Sequence, residues 1–453
     1  MTDVVVVGGG ITGLTTAHRL QEAGLEVTLL ERSRHLGGLV ETTTDDGFLI
    51  ESGPDSFVTG KGSILTLAER LGLDSEVIAS KTGTSSVWFD GQLHPLPGGL
   101  LLMVPARLGP FLGSSLLSWR GKSRALADLV LPRKGNGGDE SLGSFVRRRL
   151  GDEVLHRIAE PLVAGIHGAE PETMSLRASF PRFLDMEAEH RSLILAARRA
   201  LAAAPPDSGR THFSSFRQGM GQLTTALIGS LGDADIRLET EVSEISAGVG
   251  GFEVGLGSGD RLQTRAVVVA TPAPIAGRLL AGVAPVAAGE LVAIGQTATT
   301  AVTFAFRRQD LPPLDGSGFV VPPGQVVGIR GVSFLSEKWE GRVPDDDFSL
   351  LRVFLSSSGG MDAHEEAALT GLKRTLGVEA SPVRTWARSH PQGLHRYILG
   401  HLDRVTKVRR SLSEWPGLAV AGAALDGVGV NECVQSGWEA ADSILETVAT
   451  ANL

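Results

Sequence analysis

The stretch Val4-Val5-Val6-Val7-Gly8-Gly9-Gly10-Ile11-Thr12-Gly13 constrains this chain more than any other. A β-branched run without polar alternation reads as a strand buried on both faces, the pattern of a parallel sheet. Gly8 permits a tight turn, Gly10 lets the backbone approach a pyrophosphate, and Gly13 lets helix and strand pack closely. A helix is predicted from about Thr12 to Ala23, with Leu14, Ala17 and Leu20 on one face and Gly24 as its stop. Leu25 to Glu31 reads as a second strand, ending on an acid placed to accept hydrogen bonds from a ribose. Strand, glycine turn, helix, strand and acid in this order make a dinucleotide clamp.

The remaining sequence bounds what the clamp can serve. With 453 residues the chain has room for two or three domains. Its 42 basic and 51 acidic residues leave a net charge of −9, which argues against a nucleic-acid partner. A single cysteine, Cys433, excludes an intrachain disulfide and a cysteine zinc cluster, and fits a reducing cytoplasm. Strand residues from Val4 leave no room for a signal peptide, and none is expected. The longest apolar stretch, Leu96 to Leu117, is cut by Pro105 and Pro110 and carries Arg107, so no spanning helix is expected. Neither HExxH, nor Cys/His metal spacing, nor a GxSxG elbow occurs. The expectation is no metal and no catalytic side chain: the chemistry falls to the cofactor.

Residues 31–56 point to which dinucleotide. Gly37-Gly38 follows the acid, then a short hairpin, then Gly53-Pro54-Asp55-Ser56. This order resembles the flavoproteins of the amine-oxidase superfamily, which carry E-x-x-x-R-x-G-G and then a GP turn near the flavin ring. The resemblance implies FAD, held by Gly8, Gly10, Ile11, Thr12, Gly13, Glu31, Arg32, Gly38, Leu39, Gly53, Pro54, Asp55 and Ser56. One departure stands out: His35 replaces the arginine of that pattern, with Arg32 and Arg34 close by. Two distant segments fit the same superfamily. A strand from Ala266 to Ala270 runs into Thr271-Pro272 after a β-meander from Ile236 to Thr264, and Val242 takes the place of a backbone contact to adenine. Near the C-terminus come a strand from Leu418 to Ala421, then Gly422, then Gly427-Val428-Gly429-Val430, implied to lie at the flavin through Gly422, Val428, Gly429 and Val430. The helix that follows has Ala440, Ala441, Ile444 and Leu445 on its apolar side, and its N-terminal amides would favour an anionic reduced ring.

Residues 161–194 narrow the resemblance to the porphyrinogen oxidases. Gly165-Ile166, Met174-Ser175, Phe180-Pro181 and Glu189-His190-Arg191-Ser192-Leu193-Ile194 stand in the order of that signature. Gly219-Met220, the GHLDRV at Gly400 to Val405 and the GAALDGVGVNEC ending match further steps. The likeness covers Val4 to about Leu445 and implies oxidation of a porphyrinogen in haem biosynthesis. The resemblance further implies that six electrons leave in three two-electron steps and that O2 is reduced to H2O2. Coproporphyrinogen III is favoured over protoporphyrinogen IX. Departures fall on the substrate side: His390 to Tyr397 reads HPQGLHRY where the family has W-P-x-x-x-P-Q-Y, Ser85 stands where some relatives carry a base, and His167 where an aromatic is common. Lys61, His167 and Arg396 are the candidate substrate contacts, with Lys61 and Arg396 able to meet propionates. Phe304, Phe306, Phe319, Phe334 and Phe354 are candidate pocket walls, although a plain core role is the simpler reading, as an inert buried thiol is for Cys433.

The expected fold class is α/β: a discontinuous Rossmann-like FAD domain of glutathione-reductase type (1–80, 210–285 and 410–453), a mixed β-sheet substrate domain (286–410) and a helical insert (95–205). The insert carries Arg107, Arg120, Lys122 and Arg124 among apolar residues from Leu100 to Arg124, which fits either a peripheral contact on the inner face of the cell membrane or a cap over the substrate pocket. Handover of product to the next haem-pathway enzyme is a further expectation from the resemblance. Two other functions stay open at the level of sequence: an amine-oxidising flavoenzyme, for which the single tyrosine makes an aromatic cage hard to build, and a non-catalytic flavin-stabilised scaffold.

Overall fold

The computed structural model describes residues 2–134, 138–164, 170–203, 213–325, 328–355 and 361–451. The valine run forms the strand Thr2–Val7, paired in parallel with Val27–Leu30 on one side and Arg261–Val269 on the other. Asp235–Arg237 extends the sheet beyond Val27–Leu30, and Leu418–Val420 adds a parallel strand against Arg261–Val269. The antiparallel strands Val242–Gly248 and Gly251–Leu256 complete it. The meander expected from Ile236 therefore holds only for its last three strands. Ile236 itself crosses to the opposite edge, where Arg237 offers its carbonyl to the N–H of Glu31.

Successive residues of a strand face opposite sides of the sheet, so four valines in a row serve two cores. Val4 and Val6 pack with Leu14 and Leu20 of the helix Ile11–Glu22 and with Val434 and Ile444 of the helix Val430–Ala451. Val5 and Val7 pack on the other face with Ala276, Leu280, Leu291, Val405 and Val408. The last three of these come from the helices Pro285–Val292 and His401–Leu412, within the span 286–410 that the sequence reading assigns to the second sheet. Their apolar residues at helical spacing cover a parallel sheet that would otherwise stand bare on that side.

The second sheet is mixed and has seven strands in the order Arg384–His395, Gln296–Arg307, Phe348–Leu355, Ile329–Phe334, Gly318–Val320, Ser86–Phe89 and Gln92–Pro95. The last two lie well before residue 286 in the chain. Met361–Leu376 packs across the sheet through Ala368 and Leu372. Arg384–His395 is an edge strand, which tolerates Pro391 and a polar composition, so it gives little periodic signal in sequence.

The described residues of the insert form a series of helices from Leu108–Gly113 to Leu193–Ala203, and Ser141 caps Leu142–Arg149 by accepting from the Ser144 N–H. Its centre is a fully buried ion pair. Asp128 accepts from Arg149 Nε at 2.6 Å, from Ser192 Oγ at 2.6 Å and from the Ile194 N–H at 3.0 Å. Arg149 also donates to the carbonyls of Pro132 and Arg191. Of the four cations between Leu100 and Arg124, Arg124 donates to the Arg147 and Arg148 carbonyls, and Lys122 is buried with its ammonium 4.6 Å from the Trp119 ring centre. Arg107 and Arg120 alone of the four are exposed. Among the described residues no helix is long and apolar enough to cross a membrane.

A buried charge left without its partner is costly. Arg149→Leu is therefore expected to lower unfolding free energy by about 3–5 kcal/mol in chemical denaturation. Arg120→Ala, at an exposed site of the same insert, should change it by less than about 0.5 kcal/mol.

Candidate active site

The glycine loop has the geometry of a cradle. Gly8 sits at φ +106°, and a Cβ on Gly13 would stand 1.9 Å from the Gly8 carbonyl oxygen, so strand and helix touch there. A Cβ on Gly10 would meet nothing within 4 Å: that Cα opens onto free space at the start of the first helix. This helix has no side-chain cap and no acid in its first turn, so the N–H groups of Ile11, Thr12 and Gly13 keep their partial positive charge unanswered. Gly37 donates to the Gly9 carbonyl at 2.8 Å, and Gly38 lies so close that its Cβ would be 3.1 Å from Gly10 Cα. Gly53 in turn packs on Leu39, whose carbonyl oxygen would be 2.1 Å from a Cβ there. Positions 8–13, 37–39 and 53–54 thus form one continuous wall.

Glu31 sits on its rim. One carboxylate oxygen accepts from the Gly9 N–H at 2.7 Å and the other from the Ser33 N–H at 2.8 Å. The Glu31 carbonyl accepts from the Thr240 N–H, which brings the start of the strand at Val242 to the same corner. Arg32 is exposed, and so is His35, whose Nε2 lies 4.0 Å from Glu41 Oε1. The departure at His35 is a solvated surface residue.

The C-terminal half joins through parallel helices. Thr12 Oγ1 donates to the Cys433 carbonyl at 3.2 Å, and Thr16 Oγ1 to the Gly437 carbonyl at 3.1 Å. First and last helices therefore run in the same direction with their N-termini side by side. Gly422 donates to Ser436 Oγ at 2.9 Å, so the turn after the strand Leu418–Val420 is fixed against the last helix. Val428, Gly429 and Val430 lead into that helix and are half-buried. Cys433 is buried, and burial pushes its thiol up to about 11, an inert state.

Behind the Gly53-Pro54 turn lies a charged layer that sequence reasoning missed. Burial alone would push the Asp55 carboxyl up, yet Lys338 at 2.8 Å, Arg352 and Trp339 Nε1 at 3.2 Å hold it well below the usual range. Asp55 therefore faces the second sheet, where it anchors the turn. Arg352, buried in an apolar strand, donates to the Gly53 carbonyl at 2.6 Å and the Ser52 carbonyl at 3.3 Å. His390 Nε2 donates to the same Ser52 carbonyl at 2.9 Å. Glu51 beside them is buried, which pushes its carboxyl up to about 7 against the hydrogen bonds from Thr42 and Met220. The available signal was an arginine inside the run Ser349-Leu350-Leu351-Arg352-Val353-Phe354-Leu355, where water-facing alternation is missing.

The three substrate candidates fare differently. Lys61 is ion-paired with Glu432 in a cleft of about 420 Å3 lined also by Ser63, Arg409, Asp426 and Asn431. Arg396 sits where the strand Arg384–His395 ends, and its Nε is buried with no partner among the described residues. No described contact joins it to Lys61. His167 lies outside the described residues, as do Gly165 and Ile166. Phe304, Phe306, Phe319 and Phe334 are core, while Phe354 is half-buried with the Arg352 guanidinium over its ring.

A model of the family described as flavin containing amine oxidoreductase matches residues 11–445. The chain belongs to that family. A coproporphyrinogen III oxidase of Propionibacterium freudenreichii subsp. freudenreichii is 35% identical over 99% of this chain and 92% of its own length. One of Bacillus subtilis (strain 168) is 31% identical over 98% and 97%. A crystal structure from Exiguobacterium sp. 255-15, provisionally named a protoporphyrinogen oxidase, superposes with a TM-score of 0.88 at 32% identity, covering 98% of this chain and 99% of that one. The cofactor of this flavin oxidoreductase is FAD. The open space at Gly10, the uncapped helix start and the glycine-to-backbone packing at Gly38 and Gly53 suit a bound pyrophosphate and its flanking groups.

Two measurements follow. Gly10→Ala should leave the apoprotein's melting temperature within a few degrees, because the added methyl meets no protein atom, and cut FAD retention at least tenfold if the cofactor fills that open space. Gly13→Ala, which collides with the Gly8 carbonyl, should lower apoprotein stability as well. Thermal unfolding and flavin absorbance of the two variants separate these effects. The second concerns His395, whose Nε2 accepts from the Ala273 N–H at 3.2 Å and is therefore unprotonated. Burial lowers its pKa from 6.5 to about 4, with His401 adding to the effect. Between those values the unfolded chain binds a proton that the folded one refuses, so this stabilisation is complete above pH 6.5 and drains away toward pH 4. Melting temperature should fall over that window, and less steeply in His395→Gln.

Proposed function

We propose that this chain oxidises a porphyrinogen to the porphyrin in haem biosynthesis, with coproporphyrinogen III the preferred substrate and protoporphyrinogen IX the second. The observation that carries this is the end-to-end likeness to coproporphyrinogen III oxidases, at 35% and 31% identity over nearly the whole of both chains. Segments Met174-Ser175, Phe180-Pro181 and Glu189 to Ile194 supply the same reading from within the chain.

FAD, when bound, would supply the acceptor for a hydride from a meso carbon, with O2 as the terminal oxidant. Per porphyrin, three hydrides leave three meso carbons and three protons go to solvent, two net from pyrrole N–H groups and one from the fourth meso carbon, while three O2 become three H2O2. The protein's part is to hold, orient and keep water out. The layer of Arg352, His390, Lys338 and Asp55 fixes the Gly53-Pro54 turn from behind. The N-terminus of the first helix, uncapped and with no acid in its first turn, adds positive potential at the cradle. Arg396 is the better partner for a substrate propionate, since its Nε lies buried and unmatched among the described residues, whereas Lys61 is already neutralised by Glu432. His167 is retained as a candidate substrate contact from its place in the sequence.

The test is direct. Purified FAD-loaded protein is given coproporphyrinogen III or protoporphyrinogen IX under air, and porphyrin fluorescence and H2O2 are followed. Faster porphyrin formation from coproporphyrinogen III, with three H2O2 per porphyrin, is expected. Bound FAD with no porphyrin from either substrate overturns the proposal.

A further inference from the structure

The segment His390 to Tyr397, where this chain departs from the family pattern, ends on the only tyrosine in the sequence. Tyr397 Oη donates to the Ala423 carbonyl at 3.0 Å and accepts from the Gly427 N–H at 2.7 Å. One oxygen thus bridges both ends of the loop between Gly422 and the Gly427-Val428-Gly429 approach to the last helix. A hydroxyl is needed here, because the same atom both gives and receives a hydrogen bond. The Tyr397 ring stacks on His401 with centroids 3.8 Å apart and planes 16° from parallel. His401 Nε2 donates to the Leu425 carbonyl at 3.0 Å, in the middle of the same loop. Ala423, Leu425 and Gly427 are therefore all held from one side by two stacked rings.

The backbone around Tyr397 is fixed in the other direction. Its carbonyl accepts from the Ser175 N–H at 2.8 Å, Leu399 donates to the Thr173 carbonyl at 2.9 Å, and Gly400 donates to Asp139 Oδ2 at 3.0 Å. All three partners belong to the helical insert. Residues 397–401 thus bridge the insert and the C-terminal flavin loop.

We infer that Tyr397 and His401 are positioning residues that set the shape of the loop 422–429 and with it the seat of the flavin at the last helix. The inference rests on FAD being the cofactor and is independent of which porphyrinogen, if either, is oxidised. Neither ring takes part in bond making.

Its test needs no substrate. Apoprotein of Tyr397→Phe, His401→Phe and His401→Gln is titrated with FAD. Binding is followed by flavin fluorescence, and the bound flavin by visible-region circular dichroism and its midpoint potential. Tyr397→Phe and His401→Phe should bind FAD at least tenfold more weakly, with an altered visible dichroism and a shifted potential, while apoprotein melting moves little. His401→Gln keeps an N–H for the Leu425 carbonyl and should restore most of the affinity. Wild-type affinity, dichroism and potential in Tyr397→Phe and His401→Phe would overturn the inference. So would a loss of apoprotein stability that accounts for the whole change in FAD binding. If Tyr397→Phe does not fold, the two His401 variants decide. Wild-type protein that binds no FAD in the same titration would sink the cofactor assignment instead, a separate outcome.

Discussion

Everything at the cofactor end depends on two threonine hydroxyls and one missing side chain. Thr12 and Thr16 reach across to the Cys433 and Gly437 carbonyls, and a Cβ on Gly437 would stand 2.7 Å from the Thr12 carbonyl oxygen. Contact this close forces the first and last helices into register and points their N-termini at the same place. The first helix start, uncapped and with no acid in its first turn, carries a partial positive charge of roughly half a unit, whereas the last helix places Glu432 in its first turn, paired with Lys61. The glycine wall and the GP turn then only have to line the space the first helix faces.

The clamp was legible because its parts are local. Gly13 answers a steric demand from the Gly8 carbonyl five residues back, Gly8 takes a left-handed turn conformation, and the valine run reports burial on both faces without reference to distant contacts. What escaped is set by partners far along the chain. Arg352 could be noticed as odd in an apolar strand, but nothing local says that its guanidinium serves the carbonyls of Ser52 and Gly53, about 300 positions earlier. Asp55 looked like a cofactor ligand from its place after the GP turn, yet Lys338 and Trp339 claim its carboxylate. The helices Pro285–Val292 and His401–Leu412 have ordinary amphipathic patterns, and amphipathicity names no particular sheet.

The segment that carried the porphyrinogen-oxidase likeness has a structural reason to be distinctive. Ser192, the Ile194 N–H and the Arg191 carbonyl all converge on the buried Asp128–Arg149 pair. A charge pair in a dry core must satisfy every lone pair and proton to be tolerated, so residues around it are tightly specified. This part of the signature records how the insert is built. The residues proposed to meet substrate lie elsewhere: Arg396, with its Nε buried and unmatched among the described residues, was only weakly marked by sequence alone.

The Thr12–Cys433 hydrogen bond spans 421 positions. A ribosome delivering this chain makes the glycine turn some 420 residues before the helix that completes it. Throughout synthesis the first helix is without the neighbour that its threonines and its glycine contact are shaped for. Capture of the flavin is therefore a late event in the life of the nascent chain, and a truncated product carries a nucleotide turn that has nothing to close on.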